Sequence, residues 1–153
     1  MIVVDTNLIA GLMLQVPERP MAEAVLARDE AWCAPVLWRS ELRNLLARLV
    51  RTSVVPAERA VDVCVRAQSV LAAEHVVDDA AVLWLAVRSG CTAYDCEFVA
   101  LAHELRVPLV TFDRQVLAAF PGTAMHPEQF ASGNFWADRV SEAMTGAYAG
   151  STR

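Results

Sequence analysis

With 153 residues and a formal net charge of −5, the chain fits one domain that can bury a substantial single core. Its hydrophobic fraction of 56% is high, yet the charges are spread throughout and no apolar run approaches membrane-spanning length, which excludes a membrane-spanning protein and predicts a soluble one. The acidic balance also excludes a protein whose overall field attracts nucleic acid.

The chain opens with Met1-Ile2-Val3-Val4-Asp5, with neither a basic n-region nor an apolar stretch of signal-peptide length, and this predicts a cytoplasmic location. Four cysteines (Cys33, Cys64, Cys91 and Cys96) form no C-x-x-C pair, and the three histidines stand singly. Free thiols are expected, not disulfides or a zinc site. All thirteen basic residues are Arg. Arg suits phosphate recognition through its planar fork, although a coding bias against Lys gives the same composition.

Ile2-Val3-Val4 is a continuous β-branched run and reads as a buried strand of a parallel sheet, with Asp5 at its carboxyl end. Asn7 to Leu14 has helical spacing, and Asp5 or Thr6 also fits as its cap. Pro17 and Pro20 break the pattern before a short helix over Met21 to Arg28. Trp32-Cys33-Ala34 is a weak second strand, ended by Pro35.

From Val36 to Arg51 the helical pattern is strong, with Leu42, Leu45, Leu46, Leu49 and Val50 on one stripe that Glu41 heads. Arg39, Arg43, Arg48 and Arg51 occupy the remainder. Pro56 suits the start of a third long helix, Ala57 to Leu71, paired antiparallel with the one before it. Glu74 to Val77 resembles a short strand, and Asp78 and Gly90 delimit a further helix as N-cap and C-terminal residue.

Thr92 and Asp95 have capping-box spacing, so a helix is expected over Ala93 to Leu105. On it Asp95 leads the apolar stripe of Phe98, Val99, Ala102 and Leu105. Its carboxylate therefore faces the core side, where it needs a partner. Pro108 to Phe112 is another strand, followed by Asp113 and a helix from Arg114 to Phe120. Pro121-Gly122 makes a turn, and Thr123 to Met125 a short edge strand. The domain is expected to end near Phe130. Residues 131–153 form a tail in which Trp136, Val140, Ala143 and Met144 have helical spacing, with disorder expected over the last eight positions.

Strands alternating with helices predict an α/β domain with a mainly parallel sheet of about five strands and helices on both faces. Ligands gather outside the carboxyl ends of such strands. Asp5 and Asp113 fall there, and Glu41 and Asp95 reach in from helix starts. Each fits as a cap alone, but four such acids converging on one crevice form a cluster. Two carboxylates about 4 Å apart repel by roughly 4 kcal/mol at an effective dielectric near 20. A cation relieves this, and oxygen ligation without nearby Cys or His selects Mg²⁺ or Mn²⁺ over zinc. Such ions activate water and stabilise in-line displacement at phosphorus.

The blocks MIVVDTNLIAGL, WRSELRN, TAYDCEFVALA and LVTFD, taken together and in this order, resemble the PIN-domain ribonucleases, and among them the VapC-type toxins of toxin-antitoxin modules. The resemblance implies a PIN-like three-layer α/β sandwich over residues 1–130. It assigns Asp5, Glu41, Asp95 and Asp113 as catalytic and metal-binding acids, with Thr6, Asn7 and Thr111 as supporting polar residues. It further implies a Mg²⁺- or Mn²⁺-dependent endoribonuclease, homodimeric and restrained by a cognate antitoxin protein. Arg39, Arg43 and Arg114, next to the acids in sequence, are candidates for contact with the RNA substrate.

Two other phosphoryl-transfer families fail on chemistry. A haloacid-dehalogenase-like phosphatase needs a second Asp where Asn7 stands, and a response-regulator receiver needs a Lys this chain lacks. A non-catalytic PIN-like binding module is disfavoured, because a crowded anionic cluster destabilises a protein it does not serve. A housekeeping RNA-processing or DNA-directed nuclease stays open; the genomic neighbour would discriminate, since finding a short antitoxin-like reading frame immediately upstream would favour the toxin reading.

Overall fold

Residues 1–133 are described by the structure, a computed structural model. Strands β1 (Ile2–Val4), β2 (Trp32–Pro35), β3 (Leu71–His75), β4 (Leu109–Val110) and β5 (Ala124–Met125) form one sheet in the order β3-β2-β1-β4-β5. Every neighbouring pair is parallel. The sequence explains the order. β1, β2 and β4 are apolar and buried on both faces, as inner strands of a parallel sheet are, whereas β3 alternates between half-buried and exposed positions and lies at an edge.

The chain moves from β1 outward to β2 and β3, then returns past β1 to β4 and β5. Right-handed crossovers therefore place α1 (Thr6–Met13), α2 (Arg19–Arg28), α3 (Trp38–Arg51) and α4 (Ala57–Gln68) on one face. The same rule places α5 (Asp79–Ser89), α6 (Ala93–Leu105) and α7 (Arg114–Ala119) on the other. The packing agrees: α1 rests on α2, α3 and α4, while α6 lies against α5 and crosses β1, β2 and β4. This is the expected three-layer α/β sandwich. Ile2, Leu8, Ile9, Trp32, Trp38, Leu42 and Leu101 are fully buried at its centre, each worth about 1.5–3 kcal/mol over leaving it in water. The reversal of winding between β1 and β4 is a topological switch point, and the crevice outside their carboxyl ends is where such sheets bind ligands.

Several elements depart from the expected bounds. α2 begins at Arg19, because Pro20 falls in its first turn, where the missing N–H has no partner to lose. α4 stops at Gln68, where the Ser69 hydroxyl donates to the Arg66 carbonyl at 2.8 Å. β3 consequently occupies Leu71–His75 instead of Glu74 to Val77. An unforeseen helix, α8 (Pro127–Ser132), follows β5, capped by His126 and Gln129, and packs on α2, where Arg28 stacks 5.6 Å from the Phe130 ring. The helical spacing at Trp136, Val140, Ala143 and Met144 and the expected disorder of the last eight positions lie outside the described residues.

Candidate active site

Asp5 follows β1 directly and caps α1, one carboxylate oxygen accepting the Leu8 N–H at 2.9 Å and the other the Thr111 hydroxyl. Thr111 stands just past β4, and its oxygen accepts the Asp113 N–H at 2.9 Å. One hydroxyl thus ties the ends of the two strands at the switch point. Asp113 in turn caps α7, accepting from Gln115 and Val116 at 2.7 and 3.0 Å. Glu41 projects from the first turn of α3, just after β2, and accepts the Thr6 hydroxyl. Asp95 sits in the first turn of α6 in a capping box, accepting the Thr92 N–H at 3.1 Å and hydroxyl at 2.6 Å. The Gln115 amide donates to the Gly90 carbonyl at 3.0 Å, so the start of α7 is moored to the turn that delivers Asp95.

These residues share one cleft of about 270 Å³, lined by Asp5, Glu41, Asp95 and Asp113 together with Thr6, Asn7 and Thr111. All seven residues expected at the acidic site are brought together. The three expected Arg residues are not. Arg39 is held by both oxygens of Glu74 at 2.7 and 2.9 Å and stacks on Trp38. Arg43 folds back on its own helix to the Arg39 carbonyl at 2.9 Å and Ser40 at 3.1 Å. Arg114, exposed in the first turn of α7, is outside the lining. The polar groups that α3 does contribute besides Glu41 are Asn44 and Arg48. Their spacing of three and seven from Glu41 was the available signal, since it keeps all three on one helical stripe.

The acids act on one another. Burial pushes the Asp5 carboxyl from 3.8 up to about 6, opposed by its hydrogen bonds from Thr111 and Leu8 and reinforced by the charges of Glu41 and Asp113. Glu41 is also raised, first by burial and then by Asp95, with the Thr6 hydroxyl working the other way. Glu97, one helical step from this group and absent from the expected set, is raised by burial and by the charges of Glu41 and Asp79. Capping and clustering are therefore compatible roles. Hydrogen bonds fix each acid's position, and for Asp5 and Glu41 burial and neighbouring charges make ionisation costly.

Glu41 Oε1, Asp95 Oδ1 and Asp113 Oδ2 accept no hydrogen bond among the described residues, while their sister oxygens are anchored. As placed, no three His, Cys, Asp or Glu side chains among the described residues come close enough together to hold a metal ion. The arrangement presents oxygen donors, with no Cys or His in the lining of the cleft. It offers single free carboxylate oxygens around a polar space, which suits Mg²⁺ or Mn²⁺, ions that keep several waters and take one or two carboxylates beside substrate phosphates.

Comparison with known proteins agrees with the fold. The chain is 29% identical over 126 residues to Ribonuclease VapC3 of Pyrobaculum aerophilum, spanning 78% of this chain and 95% of that protein. The crystal structure of PAE2754 from Pyrobaculum aerophilum superposes with a TM-score of 0.69 at 23% identity, covering 85% of each chain. That of FitAcB from Neisseria gonorrhoeae superposes at 0.61 and 18% identity, covering 83% of this chain and 98% of that one. At these identities the two structural likenesses concern the fold. Residues 2–121 match the PIN domain family, and on that match, which contains all four acids, the chain belongs to it.

Proposed function

We propose that the cleft is the active site of a Mg²⁺- or Mn²⁺-dependent endoribonuclease, and that the chain is the toxin component of a type II toxin-antitoxin system. The observation that carries the reading is the convergence of Asp5, Glu41, Asp95 and Asp113, from four separate elements, on one cleft at the switch point of the sheet. The likeness to Ribonuclease VapC3 supports RNA as the substrate.

In this reading Asp5 is the fixed centre, since both its oxygens are already oriented by Leu8 and Thr111. Glu41, Asp95 and Asp113 would hold the ion through the oxygens their hydrogen bonds leave free. When bound, the ion supplies charge stabilisation at the scissile phosphate and lowers the pKa of the attacking water. Thr6 and Thr111 donate hydrogen bonds that favour the charged forms of Glu41 and Asp5, and so work against burial, which favours the neutral forms. Asn7, exposed at the rim, offers a neutral donor to substrate.

The protein acts in the cytoplasm, in keeping with the absence of any membrane-spanning helix among the described residues, and a cognate antitoxin encoded beside it restrains it. It works as a homodimer through α5. That helix exposes Leu83, Trp84 and Val87. Ala80, Leu83, Trp84 and Val87 lie symmetrically about its midpoint, so a second α5 packed antiparallel sets Ala80 against Val87 and Asp79 against Arg88 of the partner subunit, as an isologous contact requires.

The test is cleavage of total RNA with and without Mg²⁺, comparing wild type with Asp95→Asn. Metal-dependent cleavage by wild type alone supports the reading; cleavage in EDTA, or by the variant at the wild-type rate, overturns it. Co-expression of the upstream neighbour should relieve any growth arrest the chain causes.

A further inference from the structure

Among the described residues, a single basic side chain lines the acidic cleft. Arg48 lines it from α3, seven residues after Glu41, with Asn44 between them on the same stripe. Seven residues span about 10 Å along the helix. Helical side chains lean toward the N-terminus of their own helix, which for Arg48 is the direction of Asn44 and the acids. The guanidinium nevertheless joins none of the three ion pairs among the described residues. Arg39, nine residues earlier on the same helix, shows the contrast: it is held at both ends of its fork by Glu74. A guanidinium on the wall of an anionic cleft, unpaired with the carboxylates that share it, is placed for an anion brought from outside.

We infer that Arg48 and Asn44 form a subsite for the phosphodiester next to the scissile one, an inference that rests on the cleft being the ribonuclease site proposed above. Two turns of helix separate Arg48 from Glu41, too far for both to address one phosphate through the same turn. The fork of Arg48 pairs with the two non-bridging oxygens of the neighbouring phosphate, and the Asn44 amide donates to the ribose between the two. Arg48 is thus a positioning residue: it sets the register of the strand against the acids and takes no part in bond breaking. It also reconciles a chain of net charge −5 with a polyanionic substrate, because the attraction is local.

Steady-state cleavage of a single-stranded RNA octamer across a salt series tests this in the full chain with Mn²⁺. Arg48→Ala should lower kcat/KM by roughly ten- to a hundredfold, the loss of a charged hydrogen-bonding pair, and this loss should fall on KM. The slope of log KM against log salt should flatten by about 0.7, one phosphate contact on a single strand. Arg48→Lys should recover part of the loss, as a charge without the fork. Arg66→Ala, which removes the same charge from the exposed face of α4, should match wild type. The inference is overturned by an unchanged KM and salt slope in Arg48→Ala, by a loss confined to kcat, or by an equal loss in Arg66→Ala. A wild type that cleaves normally in those cases leaves the ribonuclease reading standing. A wild type that cleaves no RNA removes both.

Discussion

Asp5 uses one carboxylate oxygen to begin a helix and the other to join two strands, and its protonation is therefore linked to folding. Its carboxyl is pushed from 3.8 to about 6. Between those values the folded chain holds a proton that the unfolded chain has released, so this stabilisation is complete below about 3.8 and lost as pH rises through about 6. A shift of that size corresponds to about 3 kcal/mol at 1.36 kcal/mol per pKa step. Glu41 and Glu97 are raised and act in the same direction, whereas Glu74, lowered by Arg39, stabilises at higher pH and loses its contribution on acidification. Urea denaturation of the metal-free protein should show stability falling from pH 4 to 7, and falling less steeply in Asp5→Asn; equal slopes would contradict the linkage. Thr111→Val removes the largest influence that lowers Asp5. It also leaves the Asp113 N–H without its acceptor, a cost of about 1–3 kcal/mol. The acid limb of the pH–rate profile should move to higher pH in this variant, while an unmoved limb would show that Asp5 is not the titrating ligand.

At the scale of elements, the turn between α5 and α6 controls where Asp95 points. Gly90 has φ +73° and no atom within 4 Å of a built Cβ, so Gly90→Ala meets backbone strain alone. It should cost about 1 kcal/mol. Thr92→Ala should cost about as much by removing the N-cap of α6, and thermal melts of both variants check these values. What the sequence disclosed follows the same local physics. The Ile2–Val4 run, the Thr92–Asp95 box and the acids at strand ends were legible because each is written in consecutive residues. β3 was misplaced by three residues because Leu71-Ala72-Ala73 continues the helical composition of α4 and, lying at a sheet edge, carries no buried run of its own. α8 escaped notice although His126-Pro127 and Gln129 spell a capping box with Pro at the first position. The roles of Arg39 and Arg43 depended on Glu74 and Ser40, partners that only the folded chain assigns. Adjacency in sequence favoured them, while helical periodicity pointed to Arg48.

For the whole molecule, two surfaces define its behaviour: the acidic cleft and the apolar face of α5. Leu83, Trp84 and Val87 are 60%, 62% and 76% exposed in the single chain, and Arg88 stacks 5.6 Å from the Trp84 ring. Trp84→Glu should convert the proposed homodimer to a monomer in light scattering behind size exclusion, with circular dichroism unchanged. A wild type that is already monomeric would contradict that assembly. The cleft makes the stronger demand, because four carboxylates, three anchored as helix caps or in a capping box and Glu41 by the Thr6 hydroxyl, gain from one another only if a cation joins them. Calorimetric titration of Mn²⁺ into wild type, Asp5→Asn, Glu41→Gln, Asp95→Asn and Asp113→Asn measures this directly. Binding by wild type that each neutralisation weakens by about tenfold or more, the loss of one charged ligand, is the predicted result. No heat of binding by wild type, or equal affinity in all five with their folds intact, would contradict a shared metal site.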